Sequence, residues 1–438
     1  MFCFGYKMRC IAIFLFFFLP LLPVLASPLE NRGIELVPAY RNPTYRPNAT
    51  KALLHAYHRY GIKSLIGPYH RNENNVLVER HNDGASTAVF ADDYMNDLFY
   101  TCPVLIGTPP QVLTMNFDTG SADTWVRSTA LSERWQSNNA TVFDPARSSS
   151  FQNMSESTFF VSYGDSSWVN GKVGTDILRI GNIAIENQAI ELATALASVF
   201  KTMPTMQGFL GLSFSTLNKA KPHPVLTPVE NMALQQDIPA DHQLFTAYLG
   251  SYKDAKDPDM GRSFYTFGGI NQALVPPGEE PRYTSVNDTG GRWKISSPSV
   301  VVNGQAVDLP HNEALVDTGT TLIFVTEEVC RVFYAQIPGA LFSEADGQWI
   351  FPTETPIDLL PTFSVAVGDS QVVINKEHFP FAPSGQENMT VGAIQSRIGL
   401  SFDILGIPFL QSVYAIFDVG RRRFGVVNRF DPTPNGPA

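Results

Sequence analysis

The sequence contains the tripeptide Asp-Thr-Gly twice, in NFDTGSADTWV at residues 116–126 and in LVDTGTTLIFV at residues 315–325. Each copy follows an apolar run that is typical of a β-strand, and a hydroxyl residue comes directly after each copy. One copy alone is readily explained as a turn, because Asp and Gly both favour turns. Two copies in the same context indicate that the chain uses one aspartate from each half, Asp118 and Asp317.

The repetition extends beyond the tripeptide. Further along each half, two apolar residues precede a glycine, within GFLGLSF at 208–214 and within DILGIPFL at 403–410. From about residue 98 onward, short apolar runs alternate with Gly, Asn, Asp and Pro turns, which predicts an all-β protein of sandwich or barrel type. We therefore predict two related lobes, at residues 91–275 and 276–438. Helical patterns are sparse, and the best are TPVENMALQQ and TEEVCRVFYAQI, the second with Thr326 as its N-cap.

The N-terminal residues 1–26 are predicted to be a secretory signal peptide. Lys7 and Arg9 precede a short apolar run that Pro20 and Pro23 interrupt. An uncleaved membrane anchor is the alternative, but the run is short for a span and no later segment is apolar enough to cross a bilayer. Five glycosylation sequons fit a secreted protein, at Asn48, Asn139, Asn153, Asn287 and Asn388.

Charge is unevenly distributed along the chain. Residues 28–90 hold eight Lys or Arg against five acids, together with four of the eight histidines, whereas residues 91–438 hold 21 basic and 36 acidic residues, a formal charge of −15. A basic segment ahead of an acidic body predicts a propeptide at 27–90 that docks electrostatically, and a disordered linker is the alternative. The acidic body argues against nucleic-acid binding, and GRRRFG at residues 420–425 is predicted to be a solvated hairpin between the last two strands.

A series of segments resembles the pepsin-like aspartic endopeptidases of the fungal secreted type, in the order of that family. These segments include PVLIGTPPQ, FDTGSADTWV, VSYGDSSW, GFLGLSF, LVDTGTTL and ILGIPFLQSVYAIFD, and the resemblance covers residues 98–430. It implies a bilobal fold of two β-barrel lobes with an active-site cleft between them. It further implies protein and peptide substrates, inhibition by pepstatin-type compounds, a monomer, and no cofactor, metal or membrane anchor.

The chemistry of peptide hydrolysis explains why two aspartates are needed. Two carboxyl groups that lie close together cannot easily both ionise, so one keeps a proton while the other is charged. The charged group can deprotonate a shared water, and the protonated group can polarise the peptide carbonyl and later donate to the leaving nitrogen. This division of roles is general in aspartic proteases. The resemblance assigns it to Asp118 and Asp317.

Neighbouring residues are expected to support the two acids. Gly120 and Gly319 permit tight loops whose amides approach the carboxylates. Ser121 and Thr320 can donate hydroxyl hydrogen bonds to the carboxylate oxygens. The two segments with an apolar pair and a glycine are expected to pack beneath these loops and to hold them rigid.

The segment VSYGDSSW matches the mobile β-hairpin, or flap, that closes over substrate in this family. The resemblance assigns Tyr163 and Gly164 to the flap, and Trp125 as the tryptophan whose indole N–H bonds the flap tyrosine. A hairpin tyrosine and a core tryptophan are the simpler alternatives. The resemblance also associates Asp165 with acceptance of Lys at P1 beside large apolar residues, although Asp165 could equally be a solvated turn residue.

The sequence departs from the family pattern at several positions. Asp123 and Thr124 precede the tryptophan where many relatives have Asn-Leu, and Trp168 lies in the flap. The disulfide usual in the second lobe lacks one partner, so we expect Cys102 and Cys330 to be free or buried thiols, with their pairing left open.

The family also implies an acid-activated zymogen, whose propeptide leaves the cleft when body carboxylates become protonated and propeptide histidines become charged. Lys63 is a candidate to pair with the two catalytic carboxylates in the zymogen, and a surface lysine is the alternative.

Secretion is the expected destination and a vacuolar enzyme is the alternative. A pepsin-like protein without activity is a further rival, but both Asp-Thr-Gly copies and the flap tyrosine are retained. The absence of G-x-S-x-G and H-E-x-x-H motifs disfavours serine and zinc hydrolases.

Overall fold

The computed structural model describes residues 100–132, 141–163, 167–198, 200, 206–251 and 263–429, together with the backbone of three short strands at 35–38, 69–71 and 77–79. The predicted signal peptide and most of the predicted propeptide therefore lie outside the described residues. In the described part, β-strands predominate and helices are few. This confirms the all-β fold class.

The strands of the first half mostly follow the alternation of apolar runs and turns. They are, in chain order, β1 Glu35–Pro38, β2 Tyr69–Arg71, β3 Leu77–Glu79, β4 Thr101–Ile106, β5 Gln111–Asp118, β6 Thr124–Arg127, β7 Gln152–Ser162, β8 Trp168–Ile180, β9 Ile183–Leu196, β10 Gly208–Gly211, β11 Ala220–Lys221, β12 Leu244–Tyr248 and β13 Phe264–Phe267. Eight of them form one sheet in the order β11-β7-β8-β4-β5-β10-β6-β9. A further pairing between β8 and β9 closes six of these strands into a barrel.

The second half begins with β14 and contains shorter strands. They are β14 Arg282–Asn287, β15 Lys294–Ser296, β16 Ser299–Val302, β17 Gln305–Asp308, β18 Glu313–Val316, β19 Ile323–Val325, β20 Leu341–Ser343, β21 Gln348–Pro352, β22 Phe363–Val367, β23 Ser370–Ile374, β24 Pro380–Pro383, β25 Met389–Gly392, β26 Ile394–Ser396, β27 Asp403–Leu405, β28 Val413–Asp418 and β29 Arg423–Asn428. Two four-stranded sheets belong to this half alone, β17-β16-β22-β23 and β20-β21-β25-β24.

An eleven-stranded sheet joins the two halves, in the order β1-β13-β12-β28-β29-β14-β15-β18-β27-β19-β26. Strand β12 pairs with β28, so backbone hydrogen bonds connect residues that lie far apart in the sequence. At one end of the sheet, β1 from the predicted propeptide pairs with β13. At the other end lie the strands that carry the second Asp-Thr-Gly copy.

The strand pairing around each Asp-Thr-Gly copy is the same in both halves. In the first half, β5 pairs in parallel with β10, β10 antiparallel with β6, and β6 in parallel with β9. In the second half, β18 pairs in parallel with β27, β27 antiparallel with β19, and β19 in parallel with β26. The duplication seen in the sequence is therefore a duplication of strand topology.

Both predicted helices are present. Helix α1 spans Pro228–Gln235, and the Glu230 carboxylate accepts hydrogen bonds from the Thr227 backbone N–H at 3.2 Å and from its hydroxyl at 3.1 Å. Helix α2 spans Glu327–Tyr334, and the Thr326 side chain accepts from the Val329 N–H at 3.2 Å. Thr326 is thus the N-cap that the sequence predicted. A further single turn, α3 at Ile407–Leu410, follows Gly406. No helix in the described ranges has the length and apolar character needed to cross a membrane.

Cys102 and Cys330 are both buried free thiols, as expected. Burial raises the pKa of each thiol well above its ordinary value. Both side chains belong to the main hydrophobic core and act there as small apolar residues.

Candidate active site

The two Asp-Thr-Gly loops are locked together through their threonines. The Thr119 backbone N–H donates to Thr318 Oγ1 at 2.9 Å, and the Thr318 backbone N–H donates to Thr119 Oγ1 at 2.9 Å. Each hydroxyl then donates across the junction, Thr119 to the Val316 carbonyl at 3.0 Å and Thr318 to the Phe117 carbonyl at 2.8 Å. Sequence reasoning did not assign a role to these threonines, although their repetition at the centre of each tripeptide was the signal. The reciprocal bonds hold Asp118 and Asp317 next to each other across the junction.

The Asp118 carboxylate is buried and is held at both oxygens. The Gly120 backbone N–H donates to Oδ1 at 2.9 Å, and the Ser121 hydroxyl donates to Oδ2 at 2.5 Å. Both donors come from the same tight loop, which follows strand β5 directly. Their bonds fix the carboxylate plane.

The Asp317 carboxylate has the same arrangement. The Gly319 N–H donates to Oδ1 at 2.8 Å, and the Thr320 hydroxyl donates to Oδ2 at 2.5 Å. The structure therefore brings all four predicted supporting residues onto the two acids. The distances in the two halves differ by no more than 0.1 Å, so each acid sits in an equivalent set of donors.

Two glycines pack directly beneath the loops. A Cβ on Gly211 would overlap the backbone of Ala122, and a Cβ on Gly406 would overlap the carbonyl oxygens of Thr320 and Leu322. Backbone bonds reinforce both contacts, since the Leu212 N–H donates to the Asp118 carbonyl at 2.8 Å and the Ile407 N–H donates to the Thr320 carbonyl at 2.9 Å. These are the glycines of the two repeated segments, and their lack of a side chain permits the close approach.

The predicted flap tyrosine, Tyr163, is held by a tryptophan of the first half. The Trp125 indole Nε1–H donates to the Tyr163 hydroxyl at 2.7 Å. Both rings pack against Phe209, with centroid distances of 5.5 Å for Trp125 and 5.4 Å for Tyr163. Trp168 lies on the other arm of the hairpin and stacks on the exposed Phe160. Gly164 and Asp165 lie outside the described residues.

The remaining predicted sites lie away from the two acids or outside the described ranges. Asn153, Asn287 and Asn388 are exposed, and Asn287 Nδ2 donates to Glu313 Oε1 at 2.6 Å. Asn48, Asn139 and Lys63 lie outside the described residues.

The described residues hold no cluster of His, Cys, Asp or Glu suited to a metal ion. The GRRRFG segment contains the turn between β28 and β29, where Arg421 and Arg423 both pair with Asp418.

Two buried acids near the site have raised pKa values. Burial raises the pKa of Asp123 to about 6, and the N–H and the charge of Lys219 only partly offset this effect. Burial also raises the pKa of Glu191, which sequence reasoning did not single out, well above its ordinary value. Both groups lie on elements that flank the first Asp-Thr-Gly loop.

Comparison with known proteins agrees with this geometry. The family model described as eukaryotic aspartyl protease matches residues 99–428. The chain is 32% identical over 400 residues to endothiapepsin of Cryphonectria parasitica, covering 91% of this chain and 90% of that protein. It is 34% identical over 401 residues to aspergillopepsin-1 of Aspergillus oryzae, covering 91% and 92%. The chain therefore belongs to the eukaryotic aspartyl protease family, and it is an aspartic-type endopeptidase with the bilobal pepsin-like fold.

Proposed function

We propose that Asp118 and Asp317 form the catalytic pair that hydrolyses peptide bonds. The reciprocal hydrogen bonds between Thr119 and Thr318 carry this proposal, because they join the two loops at the residues directly after the acids. Donors from the acids' own loops hold the two carboxylates in equivalent orientations. One water held by both carboxylates would be the nucleophile.

In this mechanism the pair carries one proton. The ionised carboxylate removes a proton from the shared water, which attacks the carbonyl carbon of the scissile peptide. The protonated carboxyl donates a hydrogen bond to the carbonyl oxygen and later passes its proton to the leaving nitrogen. Tyr163 covers the site from the flap, where the Trp125 indole holds its hydroxyl, and closure excludes water from the reacting groups.

The enzyme is proposed to be a secreted zymogen that acid activates. The basic 28–90 segment, the acidic body and the apolar leader support this proposal. The pairing of β1 with β13 adds to it, since a segment of the predicted propeptide then extends a sheet of the body. Acid would protonate body carboxylates and charge the propeptide histidines, which weakens electrostatic docking. Residues 1–26 would be removed on secretion and residues up to about 90 on activation.

The proposed substrates are proteins and peptides cleaved after large apolar residues and, less efficiently, after Lys. The Lys preference is assigned to Asp165, whose carboxylate could pair with a lysine ammonium. Replacing Asp165 by serine is expected to lower the Lys-to-Phe ratio of kcat/KM about fivefold, the effect of a partly exposed ion pair of about 1 kcal/mol. The exposed Asp241, replaced by serine, is the control for loss of one negative charge. An unchanged ratio in the Asp165→Ser enzyme would show that this acid does not set the preference.

The proposed function is tested by digestion of a peptide library between pH 3 and 5. The full chain is expressed in a secreting fungal host, and the enzyme is collected from the culture medium and incubated with and without pepstatin. We expect cleavage that pepstatin abolishes and a chelator does not affect. Activity that survives saturating pepstatin, or enzyme found only in the vacuolar fraction, would contradict the corresponding part of the proposal.

A further inference from the structure

Two buried acids face each other beneath the first Asp-Thr-Gly loop. Asp123 is 3% exposed and Glu191 is fully buried. No N–H or O–H group in the described part of the chain donates to Glu191 Oε2. Burial raises the pKa of both acids, and the negative charge of Asp123 raises the pKa of Glu191 further. This arrangement favours a proton held on the pair.

The groups around Asp123 and Glu191 would only partly stabilise negative charge on the two carboxylates. The Lys219 backbone N–H donates to Asp123 Oδ1 at 2.7 Å, and the exposed Lys219 ammonium also favours an ionised Asp123. Asn218 Nδ2 donates to Glu191 Oε1 at 2.9 Å and to the Ala122 carbonyl at 3.1 Å. Asp118 is the other charged group that acts on Asp123, and it opposes ionisation. The guanidinium of Arg127, on the same strand as Trp125, donates to the carbonyls of Phe200 and Met206.

The pair lies between the catalytic loop and the flap anchor. Asp123 belongs to the loop that begins at Asp118, and its carbonyl accepts from the Gly211 N–H at 3.1 Å. Glu191 on β9 is the direct neighbour of Trp125 on β6 in the parallel pairing of these strands. A displacement of either acid would therefore act on Asp118 through the loop, and on Tyr163 through the Trp125 indole.

We propose that Asp123 and Glu191 are positioning residues for the proteolytic reaction, and that loss of their shared proton sets the upper pH limit of activity. This inference rests on the proposed catalytic role of Asp118. When both acids are ionised, two buried negative charges repel each other, and the cation that acts on Asp123, Lys219, is exposed. The loop that carries Asp123 and strand β9, which carries Glu191, then move apart, and the geometry of the site is lost.

The direction of the pH effect follows from linkage. The pKa of Asp123 is raised from 3.8 to about 6, so the folded state retains a proton that the unfolded chain has already lost. The free energy of unfolding therefore falls as pH rises from about 4 through 6. It continues to fall at higher pH, because the pKa of Glu191 is raised as well. Below pH 4 both states hold the protons, and the full contribution of the pair is present.

The test compares Asp123→Asn and Glu191→Gln with the wild type in pH profiles of kcat and KM from pH 3 to 7.5. Each amide keeps the volume of the acid and supplies an N–H donor to the remaining carboxylate. We expect the ratio of kcat/KM at pH 6.5 to that at pH 4 to rise about tenfold, which corresponds to a shift of one pH unit in the upper limb. The effect should appear in kcat more than in KM, because the substitutions change the position of the Asp118 loop and remove no contact with substrate.

Asp176 offers a control, since it is a buried aspartate on β8 that accepts from the Ser150 hydroxyl at 2.6 Å. Asp176→Asn should alter stability and leave the activity ratio unchanged. An unchanged ratio in both Asp123→Asn and Glu191→Gln, or an equal rise in Asp176→Asn, would overturn the inference. Activity of Asp118→Asn equal to wild type would instead overturn the proposed function.

A measurement on the wild type keeps the inference testable if the variants do not fold. With the pepstatin-bound enzyme, the infrared carbonyl band of a protonated buried carboxyl should persist to about pH 6 and vanish over the range where the free enzyme loses activity reversibly. A band that vanishes below pH 5, while the free enzyme remains active, would contradict the inference.

Discussion

Replacing Asp118 by asparagine is expected to lower kcat/KM about 10⁴-fold at pH 4, the upper range for loss of a general acid or base. The amide cannot accept a proton from water at this pH. Its oxygen can still accept from the Gly120 N–H and its nitrogen can donate to the Ser121 hydroxyl, so the loop should retain its shape. The measurement is kcat/KM on one fluorogenic peptide, with active-site content determined by pepstatin titration.

Asp176 provides the control for this variant. It is a buried aspartate on β8 that accepts from the Ser150 hydroxyl at 2.6 Å, and β8 pairs with β4, β7 and β9, none of which carries an Asp-Thr-Gly copy. Asp176→Asn should change thermal stability while kcat/KM stays within about threefold of wild type. An equal loss in both variants would show that any buried aspartate of this lobe affects activity in the same way, contrary to the proposed mechanism.

The largest effect on stability is expected from Gly406→Ala. The backbone of Gly406 has a φ of −88°, which alanine adopts without strain, so the cost arises from packing alone. The added methyl would overlap the carbonyl oxygens of Thr320 and Leu322, which are backbone atoms and cannot rotate away. We expect the free energy of unfolding to fall by at least about 3 kcal/mol, together with loss of activity as the Asp317 loop moves. Urea unfolding at pH 4 measures the change.

Gly304→Ala is the matched substitution in open space. Gly304 has a φ of +80° and no atom within 4 Å of an added Cβ, so alanine there incurs only the backbone cost of about 1 kcal/mol. Activity should remain unchanged in this variant. If the two glycine variants were equally stable and equally active, then the close contact beneath the Asp317 loop would not contribute to the site.

Features encoded in neighbouring residues could be predicted from the sequence. The N-cap at Thr326 depends on residues within one helical turn, and the structure shows the expected hydrogen bond. The turn in GRRRFG follows from two apolar runs with charged residues between them, and β28 and β29 pair on either side of it. The repeated Asp-Thr-Gly motif indicated two related halves, because both copies are short, local and preceded by apolar strands.

Features that depend on strand register could not be predicted in the same way. The reciprocal hydrogen bonds between Thr119 and Thr318 form only where the two loops meet, and no local sequence pattern specifies that meeting. Glu191 lies within QAIELATAL, an apolar segment where its partner cannot be identified until β9 is aligned with β6. The departure at Asp123 was visible in the sequence, but its consequence appeared only with the acid opposite it.

The central claim is that Asp118 and Asp317 act as one unit, and the measurement that tests it most directly is a double-mutant cycle. Values of kcat/KM are determined for Asp118→Asn, Asp317→Asn and the double variant at pH 4. We predict that each single variant loses about 10⁴-fold and that the double variant loses no more than about threefold beyond either, because residues that act as a unit are not additive. Wild-type activity in either single variant, or losses that multiply in the double variant, would contradict the claim.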